Sequence, residues 1–179
     1  MSILDKMVAA VTPTESPESR ARARSQAQAC SSPGDWLSTI LDHHRAIEAA
    51  FADVGAAEDS STRLAALKQL SILLIGHSIA EEAAIYPALA QSETTARATK
   101  SYSEQSAASL EMGLLEDLPP LSQAFMDKLE HLRSAVAHHV YEEEAKWFIE
   151  LKRKVPLAAQ EKIAQRYHER FSRYVHSDG

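Results

Sequence analysis

Cysteine, glycine and proline are scarce in this chain: there are one, five and seven of them among 179 residues. The single cysteine, Cys30, excludes an intrachain disulfide and gives no sign of an oxidising compartment. So few glycines and prolines argue against a turn-rich β fold and favour long helices. We also find no apolar run that approaches the length of a bilayer span, and no apolar N-terminal stretch of the secretory type. We therefore expect a cytoplasmic, all-α protein without a membrane partner.

Basic residues are fewer than acidic ones: the chain has 19 Lys and Arg, 25 Asp and Glu, and a net charge of −6. This balance gives no general electrostatic attraction to nucleic acid or to an anionic membrane, so we expect neither as a partner. The apolar fraction of 45% is ordinary, and the length suffices for one domain with a real core.

The chain divides into three parts by composition. Residues 1–34 are rich in Ser, Thr, Pro, Ala and Arg without a sustained apolar period, which predicts a disordered tail. Residues 35–155 carry the pattern of four helices, and residues 156–179 that of a fifth helix and a short tail. Short connections between four long helices predict antiparallel neighbours, and hence an up-down four-helix bundle with an additional C-terminal helix.

Capping residues and prolines set the expected helix bounds. Asp35 caps a first helix that ends at Gly55, and residues 60–62 open a second one that runs towards Pro87 and Leu89. The third begins near Ser92, with 92–95 as capping candidates, and stops at Pro119-Pro120. The fourth covers 121 to about 154, and the fifth starts at Pro156 and ends near Val175.

Polar side chains interrupt the apolar seam of three of these helices. His44 takes one seam position in the first helix, His77 and Glu81 take consecutive positions in the second, and His139 and Glu143 do so in the fourth. A buried carboxylate without compensation costs many kcal/mol or changes its protonation. A pair of metal ions would compensate, because His and Glu at i and i+4 share one helix face. Imidazole with carboxylate suits iron, zinc or manganese alike.

Simpler interpretations exist for each residue taken alone. His44 by itself resembles a hydrogen-bonded core histidine, and one His-x-x-x-Glu pair is often a solvated surface pair. His138 and Glu142 form such a pair on a neighbouring face. Two pairs on apolar seams together with a third seam histidine favour metal binding over a polar network without metal.

These residues closely resemble the hemerythrin-like (HHE cation-binding) family, over about residues 35 to 152. The matching stretches are Asp42-His43-His44-Arg45, then His77 to Glu82 followed by Tyr86-Pro87, and finally His138 to Glu144.

The resemblance implies a four-helix bundle with a non-haem di-iron centre, two irons per chain, that binds or senses oxygen. In some members of the family the centre turns over peroxide, nitric oxide or ferrous iron. Carried over by position, His44, His77 and His139 would be terminal ligands, and Glu81 and Glu143 would bridge the two metals.

The third helix departs from the family pattern. Many relatives carry a Glu-His dipeptide there, whereas alignment back from Leu118-Pro119-Pro120 places Glu104-Gln105 at that point. Gln is a poor iron ligand compared with imidazole. The missing ligand is therefore the carbonyl oxygen of Gln105, Tyr102 one turn earlier, Glu104, a water, or nothing.

Three functions compete on this sequence. The favoured one is an iron protein that binds dioxygen or another small redox ligand rather than an enzyme. The second is a di-iron enzyme that oxidises ferrous iron or decomposes peroxide, and the third is a metal-free helical interaction protein. We expect the fifth helix to dock on the bundle, with self-association through it as the alternative.

Overall fold

The computed structural model describes residues 15–91 and 95–177, and this part of the chain is helical without a strand. The all-α prediction is thereby confirmed. The elements in chain order are α1 (Pro17–Cys30), α2 (Trp36–Ala56), α3 (Ser60–Gln91), α4 (Thr95–Glu116), α5 (Gln123–Glu142), a π-helical turn (Glu143–Trp147), α6 (Phe148–Lys154) and α7 (Leu157–Ser177).

Local sequence signals account for most helix ends. The Asp35 carboxylate accepts a hydrogen bond from the Ser38 backbone N–H at 2.8 Å, which confirms the predicted cap of α2. Ser122 caps α5 in the same way, so this helix begins slightly later than expected. Pro87 lies inside α3, which continues to Gln91. The predicted capping residues 92–94 lie outside the described residues, and α4 begins at Thr95.

Helix α1 corrects the expectation of a disordered tail. Residues 17–30 are helical, with Pro17 in the first turn and the Ser16 hydroxyl accepting from the Ser19 N–H. Ala23 and Ala27 are buried against the rest of the protein, and their small side chains give a weak apolar period in sequence. The prediction is therefore wrong for this segment, while residues 1–14 of the proposed tail lie outside the described residues.

Helices α2, α3, α4 and α5 each contact the next in sequence, and α5 contacts α2. Their apolar side chains form two clusters. One surrounds Trp36, Ile85 and Phe148 and includes residues of α1, α6 and α7. The other surrounds Phe51, Leu70 and Phe125. His44, His77 and Glu143 fall in sequence between residues of the two clusters, while Glu81 lies among residues of the first cluster and His139 among residues of the second. The polar residues therefore lie where the chain passes from one apolar cluster to the other.

Helix α3 is long and apolar enough, by length and composition, to cross a membrane, contrary to the expectation from sequence. Its most apolar window is 56% buried within the protein, as in a core helix of a helical protein. It packs against α2, α4 and α7, and the contact with α7 confirms that the C-terminal helix docks on the other helices. Self-association through α7 stays a prediction.

A π-helical turn interrupts the predicted fourth helix directly after its His-Glu pair. The Phe148 N–H donates to the Glu143 carbonyl, five residues back, instead of four. The adjacent residues Glu143 and Glu144 are both buried, at 0% and 1% exposure. Turns of this kind occur frequently at functional sites.

Candidate metal centre

The structure brings together all five residues that the sequence singles out as ligands. His44, His77 and Glu81 form one group, and Glu81, His139 and Glu143 form a second. Within each group the ligand atoms lie within 4.8 Å of one another, and each of the five side chains is buried. Glu81 belongs to both groups, so its two carboxylate oxygens lie between them.

The imidazoles present Nε2 towards the carboxylates. His77 Nε2 lies 3.3 Å from Glu81 Oε2, and His139 Nε2 lies 3.3 Å from Glu143 Oε1. His44 Nε2 lies 3.6 Å from Glu143 Oε2 and 4.0 Å from Glu81 Oε1. Each carboxylate therefore approaches His44 with one oxygen and the histidine four residues before it with the other, an arrangement suited to bridging two ions.

Each of the three histidines is oriented through its other ring nitrogen. Glu144 and Glu104 bind Nδ1 of His44 and of His139, both at 2.8 Å. A carboxylate accepts a hydrogen bond from Nδ1–H, so the hydrogen stays on Nδ1 and Nε2 keeps a lone pair for a metal. These outer partners are themselves held, because Arg24 donates to Glu144.

His77 is held by a hydroxyl instead of a carboxylate. The Tyr167 hydroxyl, from α7, lies 2.7 Å from His77 Nδ1 and 2.8 Å from His43 Nδ1. Tyr167 is 1% exposed, so helix α7 contributes a buried polar contact to the centre as well as apolar cover. The C-terminal helix is thus part of the site's support.

Burial and neighbouring charges shift the pKa values of three candidate ligands. Burial and the neighbouring Glu143 raise the pKa of Glu81 well above its usual range. Burial lowers the pKa of His139, but Glu143 and Glu104 outweigh burial and hold that pKa well above its usual value. Burial and the nearby His44 keep the pKa of His77 far below the ordinary range. A metal that displaces the protons of Glu81 and His139 would leave both groups in the forms that bind metal.

The donor set passes a further test of fit for a cation. His44 Nε2, Glu81 Oε1 and Glu143 Oε2 are buried and have no hydrogen-bond partner. Such orphaned groups cost roughly 1–3 kcal/mol each, and more when charged, unless something else satisfies them. All three are ligand atoms that a metal would occupy, so the imidazole and carboxylate groups present suit a divalent or trivalent ion.

The three weaker candidates fall in different places. Gln105 is 4% exposed, and its Nε2 donates to Glu81 Oε2 at 2.7 Å, so it orients that carboxylate. Glu104 orients His139, as described above. Tyr102 is 37% exposed, and its hydroxyl donates to the Glu82 backbone carbonyl at 3.0 Å, outside the cluster of ligand atoms. The structure therefore brings Gln105 and Glu104 to the site and leaves Tyr102 at its edge.

Sequence reasoning missed a buried hydroxyl inside the cluster. Tyr86 is 0% exposed, and its hydroxyl oxygen lies 3.2 Å from Glu81 Oε2, 3.2 Å from His139 Nε2 and 3.3 Å from Glu143 Oε1. Burial and the two carboxylates raise its pKa well above the usual value, so the phenol keeps its proton in the absence of a metal. In sequence, Tyr86 enters through the Tyr86-Pro87 stretch of the family resemblance, five residues after Glu81 and off the apolar seam.

A cavity of about 350 Å³ lies between α1, α2 and α5 and is lined in part by His44. Its other lining residues combine apolar side chains such as Ile47 and Phe51 with four charged ones, which are Arg20, Arg24, Glu48 and Arg133. It therefore brings space for a small molecule next to one of the ligand histidines.

Comparison with known proteins gives one match. The family model of the hemerythrin HHE cation-binding domain matches residues 36–151, which include all five ligand candidates and Tyr86. No curated protein and no solved structure matches the chain. Helices α1 and α7 lie outside the matched range.

Proposed function

Since the chain belongs to the hemerythrin HHE cation-binding domain family, we propose that it is a non-haem di-iron protein that binds or senses dioxygen or a related small redox ligand. The observation that carries the proposal is the pair of buried ligand groups that share Glu81. One iron would be held by His44, His77 and Glu81, and the other by Glu81, His139 and Glu143. The up-down four-helix bundle of α2 to α5 is part of this proposal.

Iron is favoured among the metals with this ligand preference. Both groups combine imidazole with carboxylate, and two carboxylates shared between two ions are typical of the di-iron carboxylate proteins built in helical bundles. Bound iron would supply the electron-transfer chemistry that dioxygen and related ligands require. The chain itself supplies a dry site, because all five candidate ligands are buried, with exposures of 0% to 8%.

Access supports a small ligand rather than a large substrate. The cavity beside His44 has a volume of about 350 Å³, while His44 itself is 0% exposed. A diatomic molecule fits easily into such a space.

The test is the metal content of the full chain, expressed with supplemented iron, together with its visible absorption. We expect about two irons per chain, as in other di-iron carboxylate proteins. Glu81→Ala removes a ligand of both groups and should reduce the iron content to less than one per chain. Glu82→Ala is the matched control, because Glu82 is the next residue of the same helix and belongs to neither group. A wild-type chain that holds no metal, or zinc alone, would contradict the proposal.

The same preparation separates the other two functions. An enzyme that oxidises ferrous iron or decomposes peroxide would show turnover that Glu143→Ala abolishes, whereas equal rates in the two proteins would exclude it. A metal-free interaction protein would melt at the same temperature with and without a chelator. A metal that binds only the folded chain must raise that temperature.

A further inference from the structure

We propose that Tyr86 is itself a metal ligand, and that its phenolate oxygen completes the coordination of the ion held by Glu81, His139 and Glu143. This inference rests on the proposed iron binding and extends it, because the family resemblance assigns no role to Tyr86. It also answers the question that Gln105 raises, since it identifies a donor in the centre where an imidazole is missing.

The position of the hydroxyl carries the inference. The Tyr86 oxygen is 3.2, 3.2 and 3.3 Å from the donor atoms of Glu81, His139 and Glu143, and the last two donors are 3.3 Å apart. Ligand atoms that surround one ion tetrahedrally at about 2.0–2.1 Å lie about 3.3 Å from one another. The spacing of the phenol oxygen from these three donor atoms is therefore that expected of a fourth ligand of the same ion.

Hydrogen bonding alone explains this position poorly once a metal is bound. A buried tyrosine hydroxyl needs one partner, and it has one hydrogen to donate. Here it touches three atoms, and each of the three must be deprotonated to bind a metal. One hydrogen cannot serve three acceptors, whereas a direct bond from the phenolate oxygen to the ion accounts for its nearly equal distance from all three atoms, and the proton is released to solvent.

Gln105 does not take this place. Its amide nitrogen faces Glu81 Oε2 at 2.7 Å, so the amide acts as a donor to a ligand and not as a ligand. Tyr102 is also excluded, because its hydroxyl binds the Glu82 carbonyl, although its ring packs edge-on against that of Tyr86 at 5.1 Å. Tyr86 is thus the tyrosine of the described chain that reaches three ligand atoms at once.

The experiment is visible absorption and resonance Raman spectroscopy of the iron-loaded full chain after oxidation with ferricyanide. A ferric ion with a phenolate ligand gives a charge-transfer band, and Raman excitation within that band enhances the ring modes of the bound tyrosine. We expect such modes in the wild type, and we expect them to shift when the protein is grown on ring-deuterated tyrosine. Tyr86→Phe should lose the band but retain at least one iron per chain. Tyr102→Phe is the matched control and should keep the band.

The outcomes distinguish this inference from the proposed function. Iron binding without tyrosine modes, or a band that survives in Tyr86→Phe, overturns the role of Tyr86 and leaves iron binding intact. Failure of the wild type to bind iron overturns both. If Tyr86→Phe does not fold, the labelled wild type still shows whether a tyrosine is bound, and single replacements of the other four tyrosines identify it. A charge-transfer band that is present in all four of these variants supports Tyr86 as the ligand. Loss of the band in one of the four variants overturns the assignment.

Discussion

Replacement of Arg24 by Met tests whether α1, outside the matched family domain, is a structural part of the centre. The Arg24 guanidinium forms two 2.7 Å hydrogen bonds to Glu48, and Nε donates to both Glu144 oxygens at 3.0 and 3.1 Å. Glu144 in turn accepts from His44 Nδ1. One side chain of α1 therefore supports the residue that orients a ligand histidine.

The magnitude follows from the burial of these partners. Removing one member of a buried ion pair costs about 3–5 kcal/mol, because the other charge stays buried. The Arg24 side chain is 21% exposed, and Glu144 keeps its contact with His44, so the loss should be smaller. The half-exposed Glu48 adds about 0–1 kcal/mol. We expect Arg24→Met to lower the free energy of unfolding by about 2–3 kcal/mol.

Urea unfolding of the metal-loaded chain measures this loss. Arg22→Met is the matched control, because Arg22 is exposed on the same helix, and it should change stability by less than about 0.5 kcal/mol. A double-mutant cycle with Glu144→Gln should give a coupling energy of about 1–3 kcal/mol. The reasoning is refuted if Arg24→Met and Arg22→Met are equally stable, or if the cycle gives no coupling.

Three further predictions concern other parts of the structure. Glu104→Gln should weaken metal affinity about 10–100-fold, because the carboxylate that orients His139 becomes a neutral amide. Equilibrium dialysis measures this affinity, and an unchanged value would show that His139 needs no carboxylate partner. Arg63 is 8% exposed and donates to the Ala57 and Pro120 carbonyls. Arg63→Ala should therefore lower the free energy of unfolding by about 2–3 kcal/mol. The control Arg45→Ala, at an exposed ion pair, should lower it by less than about 1 kcal/mol. Burial and the neighbouring His44 lower the pKa of His43 to about 4, so the unfolded chain binds a proton below the ordinary histidine pKa of about 6.5 while the folded chain does not. The free energy of unfolding should therefore fall as the pH drops from about 6.5 to about 4. Over that range the difference in melting temperature between wild type and His43→Gln should change. The control His176→Gln, at an exposed histidine, should keep a constant difference in melting temperature from the wild type.

The grouping of the five candidate ligands was predictable because their signal is local. In a regular helix, residues three and four apart share a face, so a His or Glu on an apolar seam must point into the core. Asp35 as a cap and the breaks between helices follow equally from neighbouring residues. These features need no knowledge of how distant segments pack.

The features that the sequence did not predict depend on contacts between distant segments or on irregular backbone. Helix α1 buries only small residues, Ala23 and Ala27, and Arg24 finds its partner Glu144 120 residues away in sequence. Glu144 follows Glu143 directly, so a regular helix would turn one of them away from the core. Tyr86 is five residues beyond Glu81, off the seam that contains the ligands. A search by helical period could find none of these three.

The π-helical turn at Glu143–Trp147 also has a consequence for how this chain changes in evolution. The extra residue lies after the last ligand, so the helix before it keeps the register that His139 and Glu143 need. The helix after it, with Phe148 in the other apolar cluster, has its own register. A relative that lacks the turn should align with a one-residue gap between Glu143 and Phe148. Ligand spacing and core packing can therefore diverge separately on the two sides of a single turn.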